Sequence, residues 1–330
     1  MFLSIVIPVY NGAGTIKRCL DSIWNQGLPE NDFEVICVDD CSKDDTIFLL
    51  SEIAKEHPQL KVVKNRESLR AGGARNHGVR EAQGRYIQFI DADDYFHPGS
   101  LKTAYLYQKE MASGGVDILV CDFARHTLQK VNDELVHRFP STDIMTGRKF
   151  FVVNSLPYAP WKYMFRRELM IDNKIFFAEK VSCEDVDWSH KIAFYAKTMQ
   201  YKPILLTHYI LSESSQTGSE YKKATTVFHR LKAGKRLTDL VHLCNTDEEK
   251  SRIIAVAQQT LLNGVIFLCA VFSNPVKKAD IVKGCVDNQL NWRKELRIIR
   301  RFPLMYGLAS TAIAPLFRTA IYIRRKFFGR

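Results

Sequence analysis

The chain has eight cysteines but no C-x-x-C pair, and the Cys37/Cys41 spacing has no matching second pair. That pattern argues against a zinc ribbon or a redox dithiol and leaves reduced, mostly buried thiols of a cytosolic protein as the expectation. No basic segment followed by an apolar stretch opens the sequence. Met1 leads at once into a β-branched run at 3–9, so an export signal is not expected and the first strand begins immediately. No G-x-G-x-x-G follows an apolar run, which removes the dinucleotide-binding fingerprint. There is no internal repeat and no low-complexity tract. The uncharged stretch 302–317 is broken by Pro303, Gly307 and Pro315, and it falls short of the roughly 20 apolar residues that span a bilayer. At 46% apolar and 25% charged residues, the composition is that of a folded globular chain.

What is present is an alternation. Short apolar runs at 3–9, 33–38, 61–64 and 86–90 read as strands, and stretches at 15–25, 44–56 and 71–82 read as helices. Ser42 is the expected N-cap of the second helix. Short buried strands separated by helices imply a parallel sheet covered on both faces, with ligands bound beyond the carboxyl ends of its strands. Three of the four strand ends carry polar groups: Tyr10-Asn11, Asp39-Asp40 and Asp91-Ala92-Asp93-Asp94. They are expected to converge on one edge.

The second half begins near Pro98 with a helix at 100–112, a strand at 117–123 and a hairpin-like stretch to Phe139. After the Pro157/Pro160 break come a segment at 161–165, a short helix at 166–172 and a helix at 186–196 preceded by Glu184-Asp185. A strand at 201–211 follows. A helical pattern then covers 221–289, with breaks at Asn245 and Asn274-Pro275.

The segment Ser4-Ile5-Val6-Ile7-Pro8-Val9-Tyr10-Asn11 is followed by Val38-Asp39-Asp40-Cys41-Ser42. Gly72-Gly73-Ala74-Arg75-Asn76 comes next, then Gly84-Arg85-Tyr86-Ile87 and Asp91-Ala92-Asp93-Asp94. In this order they resemble glycosyltransferase family 2. Trp161-Lys162 and Glu184-Asp185 extend the resemblance more loosely. It implies the α/β GT-A fold, a Rossmann-like, mostly parallel sheet flanked by helices. It also implies a nucleotide-sugar donor, a divalent cation (Mn²⁺ or Mg²⁺) and inversion at the anomeric carbon. The implied organisation is a nucleotide-sugar-binding half at 1–97 and an acceptor-binding, catalytic half at 98–220. A helical extension at 221–292 and a basic tail at 293–330 follow.

Residue chemistry points the same way. A departing nucleotide diphosphate needs its charge neutralised, and carboxylates that hold a hard cation supply the means. By the resemblance Asp93 or Asp94 ligates that cation. The D-A-D-D cluster permits two registers; the preferred one gives Asp93 to metal and ribose, Asp94 also to metal, and Asp91 support. Pro8, Tyr10, Asp39 and Asp40 are the expected base pocket; the resemblance places Asp40 at the base, and holding the loop is the other task open to Asp39. A carboxylate there accepts from an imide N–H, which uracil has and cytosine lacks, so a UDP-sugar is favoured over CDP. Arg75 is expected at the base or the diphosphate, while Lys64, Asn65 and Arg70 are set aside. Asp185 is implied as the general base, with Glu184 positioning the acceptor and Asp187 as the competing carboxylate. Trp161 is the candidate for stacking on an acceptor sugar. His190 and His208 are declined as metal ligands. Where related sequences carry an Arg-rich stretch, this one reads Ile210-Leu211-Ser212-Glu213.

Between Arg293 and Arg330, ten basic residues face the single Glu295, so most of the net charge of +11 sits in the tail. That pattern reads as a basic amphipathic segment on an anionic membrane surface rather than a nucleic-acid interface. The combined expectation is a hexosyl or N-acetylhexosaminyl transferase, peripheral on the inner face of the cell membrane, acting on a glycan or lipid-linked acceptor in cell-surface polysaccharide synthesis. A nucleotidyl or nucleotide-sugar-modifying enzyme would need a cation near residue 12, and Asn11-Gly12-Ala13-Gly14 has none. A non-catalytic binding protein would have no use for the intact carboxylates.

Overall fold

The computed structural model describes residues 1–111, 115–127, 130–136, 139–211 and 224–272. The chain divides into two compact units, Met1–Gly218 and Ser219–Arg330. In the first, β1 (Leu3–Val9), β2 (Phe33–Asp39), β3 (Leu60–Lys64) and β4 (Tyr86–Phe89) lie side by side in the order β3-β2-β1-β4, all parallel. The crossovers are α1 (Ile16–Trp24), α2 (Thr46–Glu56) and α3 (Arg70–Glu81). β2 is buried at every position and β1 at all but Pro8, because helices cover both faces. Gly78 lets α3 lie flat on the sheet: a Cβ there would stand 2.3 Å from Val6 Cγ1.

Beyond β4 the sheet turns mixed. β8 (Tyr163–Arg166) runs antiparallel to both β4 and β6 (Ile118–Thr127), and β9 (Met199–Leu211) is parallel to β6. β7 (Lys130–Val136) forms the expected hairpin with β6. A two-residue strand, β5 (Tyr95–Phe96), pairs antiparallel with β9 through Tyr95 and His208. This brings β9 against the turn that carries Asp91 to Asp94. The flanking helices are α4 (Ser100–Glu110), α5 (Gly147–Val153), α6 (Arg167–Asp172) and α7 (Asp185–Tyr195). The N-cap of α4 is Gly99, at φ 73°, so neither Asp93 nor Asp94 caps that helix.

One expected cap is replaced. Ser42 does not cap α2; its Oγ accepts from the Asn11 N–H at 2.9 Å, tying the loop after β1 to the loop after β2. Asp44 works at the helix start instead, accepting from Thr46 N–H and, across the loops, from Ala13 N–H. Among the described residues the cysteines 19, 37, 41 and 121 are free thiols. Burial pushes the Cys121 thiol up to about 12.

The second unit contains α8 (Ala224–Thr238) and α9 (Asp247–Phe272), which pack together. The expected break at Asn245 has a cause in the sequence Thr246-Asp247-Glu248-Glu249. Thr246 Oγ1 accepts from Glu249 N–H, and the Glu249 carboxylate reaches back to Asn245 N–H at 2.7 Å, a variant of the capping box. Among the described residues no helix is long and apolar enough to cross a membrane. The basic tail, the Asn274-Pro275 break and Ser212-Glu213 lie outside the described residues.

Lys162, in the 3₁₀ turn before β8, is fully buried, and its Nζ has no hydrogen-bond partner. The ammonium lies 5.1 Å from the Phe123 ring centroid and 5.5 Å from that of Phe139. Burial pushes its pKa down to about 8, and Asp122 and Cys121 oppose that shift only in part. The unfolded chain therefore keeps a proton that the folded protein gives up between pH about 8 and about 10.5, so this group makes stability rise with pH across that window. Below it, the full cost of burying the charge remains. Lys162→Met is expected to raise stability at pH 7 by on the order of 2 kcal/mol and to remove that rise, as read by thermal melts at pH 7 and 9.5. Equal pH slopes in both proteins would contradict a buried ammonium.

Candidate active site

The loops that follow β1, β2 and β3 are knitted together at the carboxyl edge of the sheet. Asp40 N–H donates to Val9 O, Asn65 N–H to Asp39 O, and Lys43 N–H to the Asn11 side chain. Of the six non-glycine residues with positive φ among the described residues, five flank this region: Asn11, Cys41, Arg70, Lys180 and Cys183. Left-handed backbone is costly for such residues and concentrates where structure serves a site.

Tyr10 projects from the edge, 48% exposed, beside the half-buried Pro8. Asp39 is fully buried and accepts from Ser42 N–H. Asp40 is 4% exposed and receives four donors. Oδ1 takes Asn65 Nδ2 at 2.7 Å and Leu69 N–H at 2.8 Å, and Oδ2 takes the Ser68 hydroxyl at 2.7 Å and Arg70 N–H at 2.8 Å. Four donors use the acceptor capacity of a carboxylate. Asp40 is thus the hub of the 65–70 loop, and the base contact expected of it competes with these bonds. Asn65, Ser68 and Arg70 were not legible as its partners because they come from a different βα loop.

The acidic turn divides by direction. Asp91 and Asp93 are half-buried at the edge, whereas Asp94 is fully buried. Asp94 Oδ1 accepts from Ile210 N–H on β9 at 2.8 Å, and its Oδ2 is buried with no hydrogen-bond partner. Burial, with the charges of Asp91 and Asp93 added, holds the Asp94 carboxyl well above the usual range. Burial and then Asp91 push Asp93 up to about 6. Arg18, on α1, donates to Asp93 O at 2.5 Å; its role has no signature in the sequence.

Arg75 joins the two halves of the site. It is 4% exposed, donates from Nη2 to Asp91 Oδ1 at 2.6 Å and from Nη1 to Glu184 Oε1 at 2.8 Å, and lies against the rings of Phe89 and Phe177. The expected pairing of Arg75 with the donor is therefore preceded by a carboxylate clamp. Glu184 stands at the N-cap position of α7 without a side-chain capping bond, and Asp185 opens the helix, half-buried and close enough to Arg75 to reinforce the arginine's charge. Asp187 is turned inward, 1% exposed and bridged to Lys191 at 2.8 Å, so it does not compete with Asp185 for the open edge.

Trp161 is 6% exposed, with one face on Tyr209 (5.6 Å between centroids, 20°) and Phe123 edge-on at 4.6 Å. Its face is thus taken, and the half-buried ring of the pair is Tyr209. His190 is a core group whose Nδ1 lies 2.8 Å from Val186 O. His208 stands between His97 and His126, with Tyr95 stacked on it at 4.6 Å.

A mixed α/β sheet with carboxylates gathered at its carboxyl edge defines a ligand-binding architecture, and comparison with known proteins narrows it. Residues 4–178 match the model of glycosyl transferase family 2, just over half of the sequence. The chain belongs to glycosyl transferase family 2. It is 32% identical over 192 residues to the poly(ribitol-phosphate) beta-glucosyltransferase of Bacillus spizizenii, covering 56% of this chain and 28% of that protein. The chain spans less than two thirds of the other leading curated relatives as well. In three dimensions it resembles Staphylococcus aureus TarS 1–349 in complex with UDP-GlcNAc. That match has a TM-score of 0.63 at 22% identity, over 87% of this chain and 80% of that one. The mannosyltransferase PcManGT of Pyrobaculum calidifontis, in complex with GDP-Man and Mn²⁺, matches at TM-score 0.54 and 18% identity, over 93% and 86%. These likenesses give the fold as GT-A.

Proposed function

We propose that this chain transfers a sugar from a UDP-sugar to a hydroxyl of a glycan or lipid-linked acceptor, with inversion, in cell-surface polymer synthesis. The observation that carries this is the Arg75 clamp, which sets Asp91 of the donor edge and Glu184 of the base-bearing loop on one guanidinium. Family membership, the UDP-GlcNAc held by TarS and the polymer acceptor in the name of the B. spizizenii relative support the donor and acceptor classes.

The nucleotide is assigned to the edge formed by Pro8, Tyr10 and Asp39, with Asp40 acting through the 65–70 loop it holds. Tyr10 offers an open ring face to the base. Asp91 and Arg75 border the diphosphate. Among the described residues no three metal-ligating side chains gather into a cage. The donor set nonetheless suits Mg²⁺ or Mn²⁺, which are held by one or two carboxylates and complete their shells with phosphate and water. Asp93, open at the edge, fits that part, and the adjacent Asp94 keeps a buried Oδ2 without a hydrogen-bond partner. The chemistry such a cation supplies when bound is neutralisation of the diphosphate leaving group.

Asp185 takes the proton of the acceptor hydroxyl as that oxygen attacks the anomeric carbon opposite the diphosphate. Glu184, fixed by Arg75, orients the acceptor. Tyr209, backed by Trp161, borders the acceptor side as a stacking surface. The direct test is nucleotide release from UDP-, GDP- and TDP-sugars by the full chain, with and without Mn²⁺. UDP release that depends on the cation is expected, and no turnover of any donor would refute the assignment.

The basic tail is proposed to hold the enzyme on the anionic cytoplasmic membrane face. Each basic side chain near such a surface contributes about 1 kcal/mol. Deleting 297–330 is expected to abolish co-sedimentation with phosphatidylglycerol vesicles at moderate salt. Unchanged pelleting would overturn that role.

A further inference from the structure

We infer that Asn76, with Gly72 one turn before it, is a positioning residue. It grips the 176–184 loop against α3 and so sets where Asp185 stands relative to the donor carboxylates. This inference rests on the proposed role of Asp185 as base.

The loop has no regular structure of its own to hold it. After α6 the chain runs without helix or strand until α7, and Lys180 and Cys183 both adopt left-handed backbone at φ 58°. Such conformations persist only where surroundings enforce them. The enforcement comes from α3. Asn76 is fully buried, and its amide closes a two-bond rung with one backbone residue of the loop. Oδ1 accepts from Phe177 N–H at 2.9 Å, and Nδ2 donates to Phe177 O at 3.0 Å. The same Nδ2 donates to Glu179 Oε1 at 3.1 Å. Lys180 N–H donates to Leu69 O at 2.9 Å, just before the helix starts.

Close approach requires Gly72. A Cβ there would stand 2.7 Å from Ala178 O, 2.9 Å from Glu184 Cγ and 3.0 Å from Phe177 Cβ. The gripped residue also reaches α7 directly. The Phe177 ring stacks on Trp188 at 4.5 Å and 13°, and Trp188 lies within the first turn after Asp185. Neighbouring side chains of one helix thus divide the labour. Arg75 touches the donor-side carboxylate, while Asn76 fixes the loop that delivers the base. The Gly-rich segment is a receiver for a loop rather than a cradle for phosphate.

The test uses the full chain, UDP-GlcNAc and Mn²⁺, with water as the acceptor. It reads the kcat of UDP release beside the affinity for UDP measured by calorimetric titration. Asn76→Asp, which places a carboxylate against Phe177 O and Glu179, is expected to lower kcat about 100-fold, the order of loss that an ångström-scale misplacement brings. UDP affinity should stay within threefold. Gly72→Ala should show the same split. Glu179→Ala removes one contact from the exposed side of the loop, where folding tolerates it, and should lower kcat about threefold. Loss of UDP affinity in parallel with kcat, or unchanged kcat in all folded variants, would overturn the inference. Asp185→Asn in the same assay separates the two levels. If it is inactive while Asn76→Asp is fully active, only the grip fails; if Asp185→Asn is fully active, the base assignment itself fails.

Discussion

Replacing Asp93 with alanine should remove about 10³-fold or more of the Mn²⁺-dependent turnover. Neutralising a departing diphosphate is worth several kcal/mol, and each 1.36 kcal/mol is a decade in rate. Asp93 is the carboxylate at the open edge whose charge is least compensated. Arg75 is committed to Asp91, and Arg18 reaches only the carbonyl of Asp93. Burial and the charge of Asp91 already push the Asp93 carboxyl up to about 6, so a cation arriving there relieves an existing cost. Asp94→Asn gives the contrast. An amide keeps an acceptor for Ile210 N–H, so the turn should hold and activity should fall by about tenfold at most. Steady-state UDP release over a Mn²⁺ titration measures both. An Asp93→Ala enzyme with full, metal-dependent activity would move the cation elsewhere, and equal collapse in Asp94→Asn would shift the register of the D-A-D-D cluster.

Asp185→Asn should keep donor binding and lose about 10² to 10⁴ of the transfer rate, the range for removal of a positioned general base. The substitution is nearly isosteric, and the Ser189 hydroxyl bonds the backbone carbonyl of residue 185, a contact that the change leaves in place. UDP affinity is therefore expected within a few-fold of the parent while kcat falls. Asp187, buried and bridged to Lys191, is in no position to substitute. Retained transfer in Asp185→Asn would put the base elsewhere; loss of UDP binding would make the residue part of the donor pocket.

How far the site could be read in advance follows from the distance over which each feature is encoded. β1, β2 and β4 are short, mostly apolar runs ended by Tyr10, Asp39-Asp40 and Asp91, so both the strands and the polar edge are local statements of the sequence. The antiparallel β4–β8 pairing and the two-residue β5 are not, because nothing near Tyr86 or Tyr95 names a partner at Arg166 or His208. The same limit applies to side chains. Asp40 was legible as a strand-end carboxylate, but its four donors come from 65–70, beyond a whole helix and strand. Ser42 carries the composition of an N-cap and is used across loops instead, because Asp44 is nearer the first turn of α2. Trp161 had the right chemistry for a sugar platform, yet packing against Tyr209 takes its face. Asn76 looked like part of a Gly-rich turn; its partner lies about a hundred residues away, on a loop without periodicity.

Crystals of the full chain grown with UDP-GlcNAc and Mn²⁺ test the central proposition most directly. The expected result is an anomalous manganese peak at the Asp93 carboxylate, with the diphosphate on that ion, uracil against Tyr10, and the anomeric carbon facing Asp185. A nucleotide bound away from the tips of β1, β2 and β4, or manganese bound with Asp93 and Asp91 untouched, would contradict it.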